Sequence, residues 1–316
     1  MPEYSDNRPL VSVVVPTCNR PDLLLAALRS VAQQTYADLE CVVVNDHPAT
    51  RTKVDQVLAA LNDERFQVLH NTMSSGSAVT RNNGIQQTQG SIVAFLDDDD
   101  IWLPTYLAEH VRAHRADVGL VYSGVLVRWQ DGVLPEKHRL APPPPRPAEV
   151  PVRMLRGTFE VFTTSVISVK KRALERVGYF DESLPSYEDW ELCYRIGQHF
   201  ALGYVEQPLT VFFQHLRGRM TRDLEQRKMG LKALGENFKD DDRFQYLYRK
   251  HVAQMYFTSI RNNVLVGKSV WNRSLFTYYL QSKSHPWSSR YQMKVTVKMV
   301  ILLIFNRRGV PLINLF

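Results

Sequence analysis

Between residues 10 and 100 the chain alternates, without interruption, short β-branched apolar runs and segments of helical periodicity. VSVVV (11–15), LECVVVND (39–46), FQVLHN (66–71) and SIVAFLD (91–97) read as strands, the first broken at Pro16. Between them lie RPDLLLAALRSVAQQ, with a Pro-Asp helix start, then KVDQVLAAL (53–61), then SAVTRNNGIQQT (77–88), closed by Gly90. The strands are continuously apolar rather than alternating, so both of their faces need cover. Strand, helix, strand, helix in that order predicts a parallel α/β sheet with right-handed crossovers.

In such sheets ligands bind beyond the carboxyl ends of the strands. Those ends here read PTCNR, Asn45-Asp46, MSSGSAVTR and Asp97-Asp98-Asp99-Asp100. No GxGxxG follows the first strand and no GxxxxGK[ST] occurs, which excludes a dinucleotide fingerprint and a P-loop. Carboxylates gather where glycines would otherwise stand. An acidic run can be a solvated turn or a helix cap, but this one is hemmed in by Leu96 and by Ile101-Trp102-Leu103-Pro104. Burying one unpaired carboxylate costs several kcal/mol, so a neutralising partner is required. A hard divalent cation, Mn²⁺ or Mg²⁺, suits an all-oxygen cluster and would bridge substrate phosphates.

Composition adds limits. With 316 residues and 44% hydrophobic content the chain can bury a sizeable core. Its net charge of +7 suits an anionic partner. The charge is diffuse and there is no RNA-binding motif or finger spacing, so nucleic acid is not expected as a partner. Three cysteines are too few for a disulfide framework or a zinc site, and MPEYSDNRPL carries no apolar signal region. Both features predict a cytoplasmic protein.

Three stretches carry a family resemblance: VSVVVPTCNRPDLLLAALRSVAQQTYADLECVVVND, GSAVTRNNGIQQTQGSIVAFLDDDDIWLP and VGYFDESLPSYEDWELCYRIG. In that order they resemble the inverting family-2 glycosyltransferases of the GT-A fold, which transfer a sugar from a nucleotide-sugar donor. The resemblance implies a Rossmann-like, mostly parallel sheet flanked by helices. It also implies a DxD motif, mapped onto Asp97-x-Asp99, with Asp97 on the donor and Asp99 on the metal. Four consecutive aspartates leave the register open by one, so Asp98 and Asp100 stay candidates beside them. Asp46 matches the family aspartate that hydrogen-bonds the base, and Pro16, Thr17 and Arg81 match positions lining the nucleotide pocket. Two departures stand out: Cys18 replaces the usual aromatic, and Asn45-Asp46-His47-Pro48 replaces D-D-G-S. UDP is the expected nucleotide, with dTDP and GDP as alternatives.

Inversion needs a general base to take the acceptor's hydroxyl proton. In the family this is the aspartate of an E-D pair opening a helix, which maps onto Asp189 with Glu188 beside it. A helix N-terminus favours carboxylates through its dipole, and a plain helix cap is the alternative reading. His215, Arg217 and Arg219 stand where family members carry a loop that closes over the diphosphate. There the histidine would complete the metal shell or contact the phosphates and the arginines neutralise the leaving group, an exposed basic loop being the alternative. The proline-rich run 133–153 is expected to be a flexible acceptor-side loop. From 225 onward the chain reads as a helical extension. Its apolar run Met299–Phe305 is too short to span a bilayer and is flanked by Lys294, Lys298, Arg307 and Arg308. That layout suits peripheral contact with anionic lipid, a basic packed helix being the alternative.

The organisation expected is a catalytic domain over 1–224, with a nucleotide-sugar half (1–107) and an acceptor half (108–224), followed by the extension 225–316. The function expected is metal-dependent transfer from a UDP-sugar to a glycan, lipid-linked or other hydroxyl acceptor. The rivals are a sugar-phosphate nucleotidyltransferase and a catalytically inactive nucleotide- or glycan-binding protein on the same scaffold.

Overall fold

The computed structural model describes residues 8–129, 135–156, 158–159, 161–214 and 224–240, together with Phe244 and Tyr248. Within these, β1 (Val11–Thr17), β2 (Leu39–Asn45), β3 (Phe66–His70) and β4 (Ile92–Phe95) form the parallel half of one sheet. The chain then adds β5 (Ile101–Trp102), β6 (Val118–Trp129), β7 (Lys137–Arg139), β8 (Ile167–Lys170) and β9 (Ala201–Gln214). The strand order is β3-β2-β1-β4-β8-β6-β9-β5, with β7 paired to β6. Antiparallel pairs appear only from β4–β8 onward, while β6 and β9 run parallel.

The helices α1 (Pro21–Ala32), α2 (Arg51–Leu61) and α3 (Ser77–Gln87) supply the crossovers of the parallel half, as the alternation predicts. They are followed by α4 (Tyr106–Ala113), α5 (Val150–Leu155), α6 (Lys171–Val177), α7 (Glu188–His199) and α8 (Leu224–Asn237). Two hydrophobic cores lie on opposite faces of the sheet. Val11, Val13 and Val15 of β1 enter one with Leu24 and Leu28 of α1, whereas Val14 enters the other with Ile85 of α3. This parity is why Val11 and Val13–Val15 are all apolar; Ser12, the exception, is buried and donates to Glu40 Oε1 at 2.6 Å.

Three local expectations change. Strand β1 does not break at Pro16; it runs to Thr17, with Pro16 in register with Val44. Its pairing with β4 stops at Val14, so the missing proline N–H costs no ladder bond on that side. Helix α3 is not closed by Gly90, because Thr88 is already extended. Gly90 instead lets the chain press onto β1: a Cβ there would stand 2.5 Å from the Leu10 carbonyl oxygen. The described part of the proline-rich run is built into the fold rather than left as a loop. Lys137–Arg139 pairs with β6, Tyr122 Oη donates to the Pro142 carbonyl at 2.5 Å, and Val150, Met154 and Leu155 of α5 are buried. Its prolines fit where they fall: Pro151 stands in the first turn of α5, which has no N–H partner to lose, and Pro142 leaves its carbonyl free to accept.

Among the described residues no helix is long and apolar enough to cross a membrane.

Candidate active site

The sheet order reverses between β1 and β4, and the crevice there collects the polar strand ends. Asp97 to Asp100 form a tight turn closed by the Asp100 N–H on the Asp97 carbonyl at 3.1 Å. The turn is buried, not solvated: Asp98 and Asp100 are fully inaccessible and Asp99 is 8% exposed.

Two arginines answer the charge. Arg20, in the loop after β1, meets Asp98 Oδ1 at 2.5 Å and Asp99 Oδ2 at 3.0 Å. Arg81, one turn into α3, meets Asp97 Oδ1 at 2.7 Å and Glu188 Oε1 at 2.9 Å. Burial disfavours the Arg81 charge, but Asp97 and Glu188 more than offset it and its pKa rises above the ordinary arginine value. The guanidinium also lies 5.5 Å from the Phe180 ring centroid. Gly84 permits this placement, since a Cβ there would stand 2.5 Å from Val14 Cγ1 and hold α3 away from the sheet.

The remaining carboxylates have distinct environments. Asp98 accepts from Thr17 Oγ1 at 2.7 Å. Burial raises its pKa to about 7, against the opposing pull of Arg20 and Thr17. Asp100 accepts from Ser165 Oγ at 2.7 Å and from the Phe213 N–H at 3.3 Å. Asp97, Asp99 and Asp100 each offer an oxygen, and these lie within 4.8 Å of one another. Asp98 points elsewhere, to Thr17 and Arg20, so the geometry groups Asp97 and Asp99 as the sequence pairs them and adds Asp100. Three hard oxygen donors converging in this way fit Mn²⁺ or Mg²⁺.

Asp46 is 5% exposed and its carboxylate is turned toward the loop before α3. It accepts from Asn71 Nδ2 at 2.8 Å, from the Ser75 N–H at 2.9 Å and from the Gly76 N–H at 3.0 Å. Its backbone carbonyl accepts from Ser74 Oγ at 2.5 Å. Through these bonds the aspartate fixes the 71–76 loop. Pro16 and Thr17 close the β1 side of the crevice; Cys18 is exposed as a residue, and partial burial of its thiol, with Asp46 and Asp98 nearby, raises its pKa.

Glu188 and Asp189 open α7, after a Tyr187 in left-handed conformation (φ 69°). Glu188 is engaged by Ser77 Oγ at 2.8 Å as well as by Arg81. Asp189 accepts the Trp190 N–H at 2.7 Å. The helix dipole alone does not set its charge. Burial, then the neighbouring Glu188, raise its pKa to about 7, only partly offset by the Trp190 N–H and Arg81. A carboxylate tuned near neutrality suits proton abstraction at working pH. Asn82, next to Arg81, ties the upstream Phe180-Asp181-Glu182 segment by bonds to Phe180 O and Glu182 Oε1, both 2.9 Å.

Arg20, Ser165, Ser77 and Asn71 escape sequence reasoning. Arg20 alone had a signal, as the first cation after the strand facing the aspartates. His215, Arg217, Arg219 and the apolar run Met299–Phe305 lie outside the described residues.

A switch-point crevice lined by a converging aspartate cluster, an arginine hub and a helix-opening carboxylate pair defines the GT-A class of α/β proteins. The chain belongs to glycosyl transferase family 2, whose profile, "Glycosyl transferase family 2", matches residues 12–178, just over half of the 316. It is 38% identical over 102 residues to the putative colanic acid biosynthesis glycosyl transferase WcaA of Escherichia coli K12, 32% of this chain and 37% of that one. It is 35% identical over 98 residues to the E. coli UDP-Glc:alpha-D-GlcNAc-diphosphoundecaprenol beta-1,3-glucosyltransferase WfgD, 31% of this chain and 38% of that one. The matched part is therefore well under half of either relative's length. The fold matches that of mannosyltransferase PcManGT from Pyrobaculum calidifontis, solved with GDP-Man and Mn²⁺. The TM-score is 0.58 at 18% identity, over 96% of this chain and 83% of that one.

Proposed function

We propose that the protein is an inverting glycosyltransferase that moves a hexose from a nucleotide-diphosphate sugar, a UDP-sugar foremost, to a hydroxyl of a lipid-linked glycan. The observation that carries this reading is Arg81, which bridges Asp97 of the aspartate turn and Glu188 of the helix-opening pair. It ties the donor side and the base side into one cleft. The relatives lend support: WfgD takes UDP-Glc and a diphosphoundecaprenol acceptor, and PcManGT was solved with GDP-Man and Mn²⁺.

On this reading Asp97, Asp99 and Asp100 would hold Mn²⁺ or Mg²⁺, with His215 the candidate for completing the shell. Bound there, the ion would supply charge stabilisation to the leaving diphosphate. The nucleotide lies along the ends of β1 and β2, between Pro16, Thr17 and the loop that Asp46 organises. Arg20 and Arg81 hold the site's carboxylates together while the donor is absent, and Arg217 and Arg219 are the candidates for neutralising the leaving diphosphate. Asp189 receives the acceptor's hydroxyl proton as that oxygen bonds to the anomeric carbon. The bond from that carbon to the diphosphate breaks on the opposite face, and the nucleoside diphosphate leaves. Glu188, held by Ser77 and Arg81, orients its neighbour. A lipid-linked acceptor places the protein at the cytoplasmic membrane surface, with the basic segment around 294–308 as its contact with anionic lipid.

The test is a thermal-shift screen of UDP-glucose, UDP-GlcNAc, dTDP-glucose and GDP-mannose, each with and without Mn²⁺, on the wild type and on Asp99→Ala. A ligand at 100 times its Kd adds about 2.7 kcal/mol. A Mn²⁺-dependent shift in the wild type that vanishes in Asp99→Ala is expected. Equal shifts in both proteins would refute the aspartate-turn assignment.

A further inference from the structure

Helix α8 reaches the residue that sets the angle of the proposed base. Tyr187 carries φ 69°, a backbone conformation that L-residues with a side chain avoid unless their surroundings impose it. It is the residue from which α7 departs, so its dihedrals fix where Glu188 and Asp189 point.

Contacts to that residue and to Ser186 before it come from the next helix. Arg227 donates from Nη2 to Tyr187 Oη at 3.1 Å, and its guanidinium lies 5.8 Å from the ring centroid. Ser186 Oγ donates to the Gln226 carbonyl at 3.3 Å. Gly230, one turn on, is buried against Ser186, and a Cβ there would stand 2.7 Å from the Ser186 carbonyl oxygen. Beyond the other end of α8, Phe238 packs edge-on against Tyr194 at 4.9 Å and Trp190 at 6.1 Å. The helix is thus fixed to α7 at both ends, on either side of Asp189. The family profile stops at residue 178, before either helix.

We propose that α8 is a clamp on the turn that bears the base, with Arg227 and Gly230 as positioning residues that hold Tyr187 in its left-handed conformation and so hold Asp189 in line with the acceptor. This rests on the reading of Asp189 as the base. Without the Arg227 contact, Tyr187 relaxes toward ordinary dihedrals and the first turn of α7 rotates away from the cleft. The donor contacts on β1, β2 and β4 do not move.

The experiment compares Arg227→Ala, Arg227→Lys, Tyr187→Phe and the double variant Arg227→Ala/Tyr187→Phe with the wild type and Asp189→Asn. Turnover is read as nucleoside diphosphate released by water from UDP-glucose or GDP-mannose, whichever stabilises the protein with Mn²⁺. Donor Kd, melting temperature and the pH profile of kcat accompany it. Arg227→Ala and Tyr187→Phe should each lower kcat about tenfold at unchanged donor Kd, the usual size of one lost oriented hydrogen bond (about 1.4 kcal/mol). The double variant should fall no further than either single one, because both remove the same contact. The midpoint of the pH profile should shift as the surroundings of Asp189 change, and Arg227→Lys should recover much of the rate. A lower melting temperature with kcat and pH profile unchanged would overturn the clamp and leave α8 a packing element. If Asp189→Asn loses turnover while the Arg227 and Tyr187 variants do not, the clamp alone fails. If Asp189→Asn keeps its turnover, the base assignment fails and the clamp falls with it.

Discussion

Replacing Arg81 with methionine keeps the volume and removes the charge shared by two carboxylates. Removing one partner of a buried ion pair costs about 3–5 kcal/mol, because the other charge is left desolvated. Here two carboxylates lose it, but neither is stranded. Glu188 keeps the Ser77 hydroxyl at 2.8 Å, and the Asp97 side chain is 26% exposed. Both facts place the cost at the lower end, about 3 kcal/mol. For 316 residues that corresponds to a fall in Tm of about 4–5 °C. Arg81→Lys retains a charge but lacks the planar fork that serves two acceptors at once. It should cost about 1–2 kcal/mol, the penalty of one carboxylate left short of a donor. Urea unfolding followed by circular dichroism, with no divalent ion present, measures both. A methionine variant within about 1 kcal/mol of the wild type would mean that these carboxylates are neutralised elsewhere. The hub role assigned to Arg81 would then be wrong.

Other outcomes can be stated more briefly. Asp189→Asn should lower kcat by roughly 10²- to 10⁴-fold with little change in donor Kd; in the wild type the rate should rise as pH passes through about 7, where Asp189 gives up its proton. A flat pH profile there would move the base elsewhere. Arg20→Gln should lower the Tm of the metal-free protein and tighten Mn²⁺ binding by calorimetry, since Arg20 neutralises Asp98 and Asp99 in the ion's absence; weaker Mn²⁺ binding would instead make Arg20 a support of the metal site. His110 and His114 share the Ser168 hydroxyl at 2.8 and 2.9 Å, and burial pushes both imidazoles below their ordinary range, His114 to about 3. Their folded-state pKa values are depressed, so the neutral pair is compatible with the fold above about pH 6.5, and stability is lost as pH falls from there, by about 1.4 kcal/mol per unit for each histidine. The double His110→Gln/His114→Gln variant should lose most of that slope in urea melts between pH 7 and 5, and an unchanged slope would assign it to other groups.

The parallel half was legible because β1, β2 and β4 are covered on both faces and carry almost unbroken apolar runs, interrupted only by Ser12 and Glu40 before their polar ends. The strand ends were legible for the same reason: once the strands are known, Asp46 and the aspartate turn follow. The second half was harder. β8 and β6 pair across long sequence separations, and nothing local in ISVK or VGLVYSGVLVRW fixes direction or neighbour. Ser165 and Ser77 are ordinary serines whose partners, Asp100 and Glu188, lie 65 and 111 residues away. The helix start at Glu188-Asp189 was visible in the sequence, whereas the burial that raises the Asp189 pKa comes from residues distant in the chain and was not.

Helix α3 belongs to the first hundred residues, yet Arg81 and Asn82 spend their hydrogen bonds on Asp97, Phe180, Glu182 and Glu188. Any attempt to recombine segments between relatives at a crossover near residue 107 cuts through that clasp. A chimaera should work only where the incoming second segment brings a carboxylate at 188 and a backbone matching Phe180, or where α3 travels with it. The stretches before and after residue 107 are thus not freely exchangeable modules in this protein.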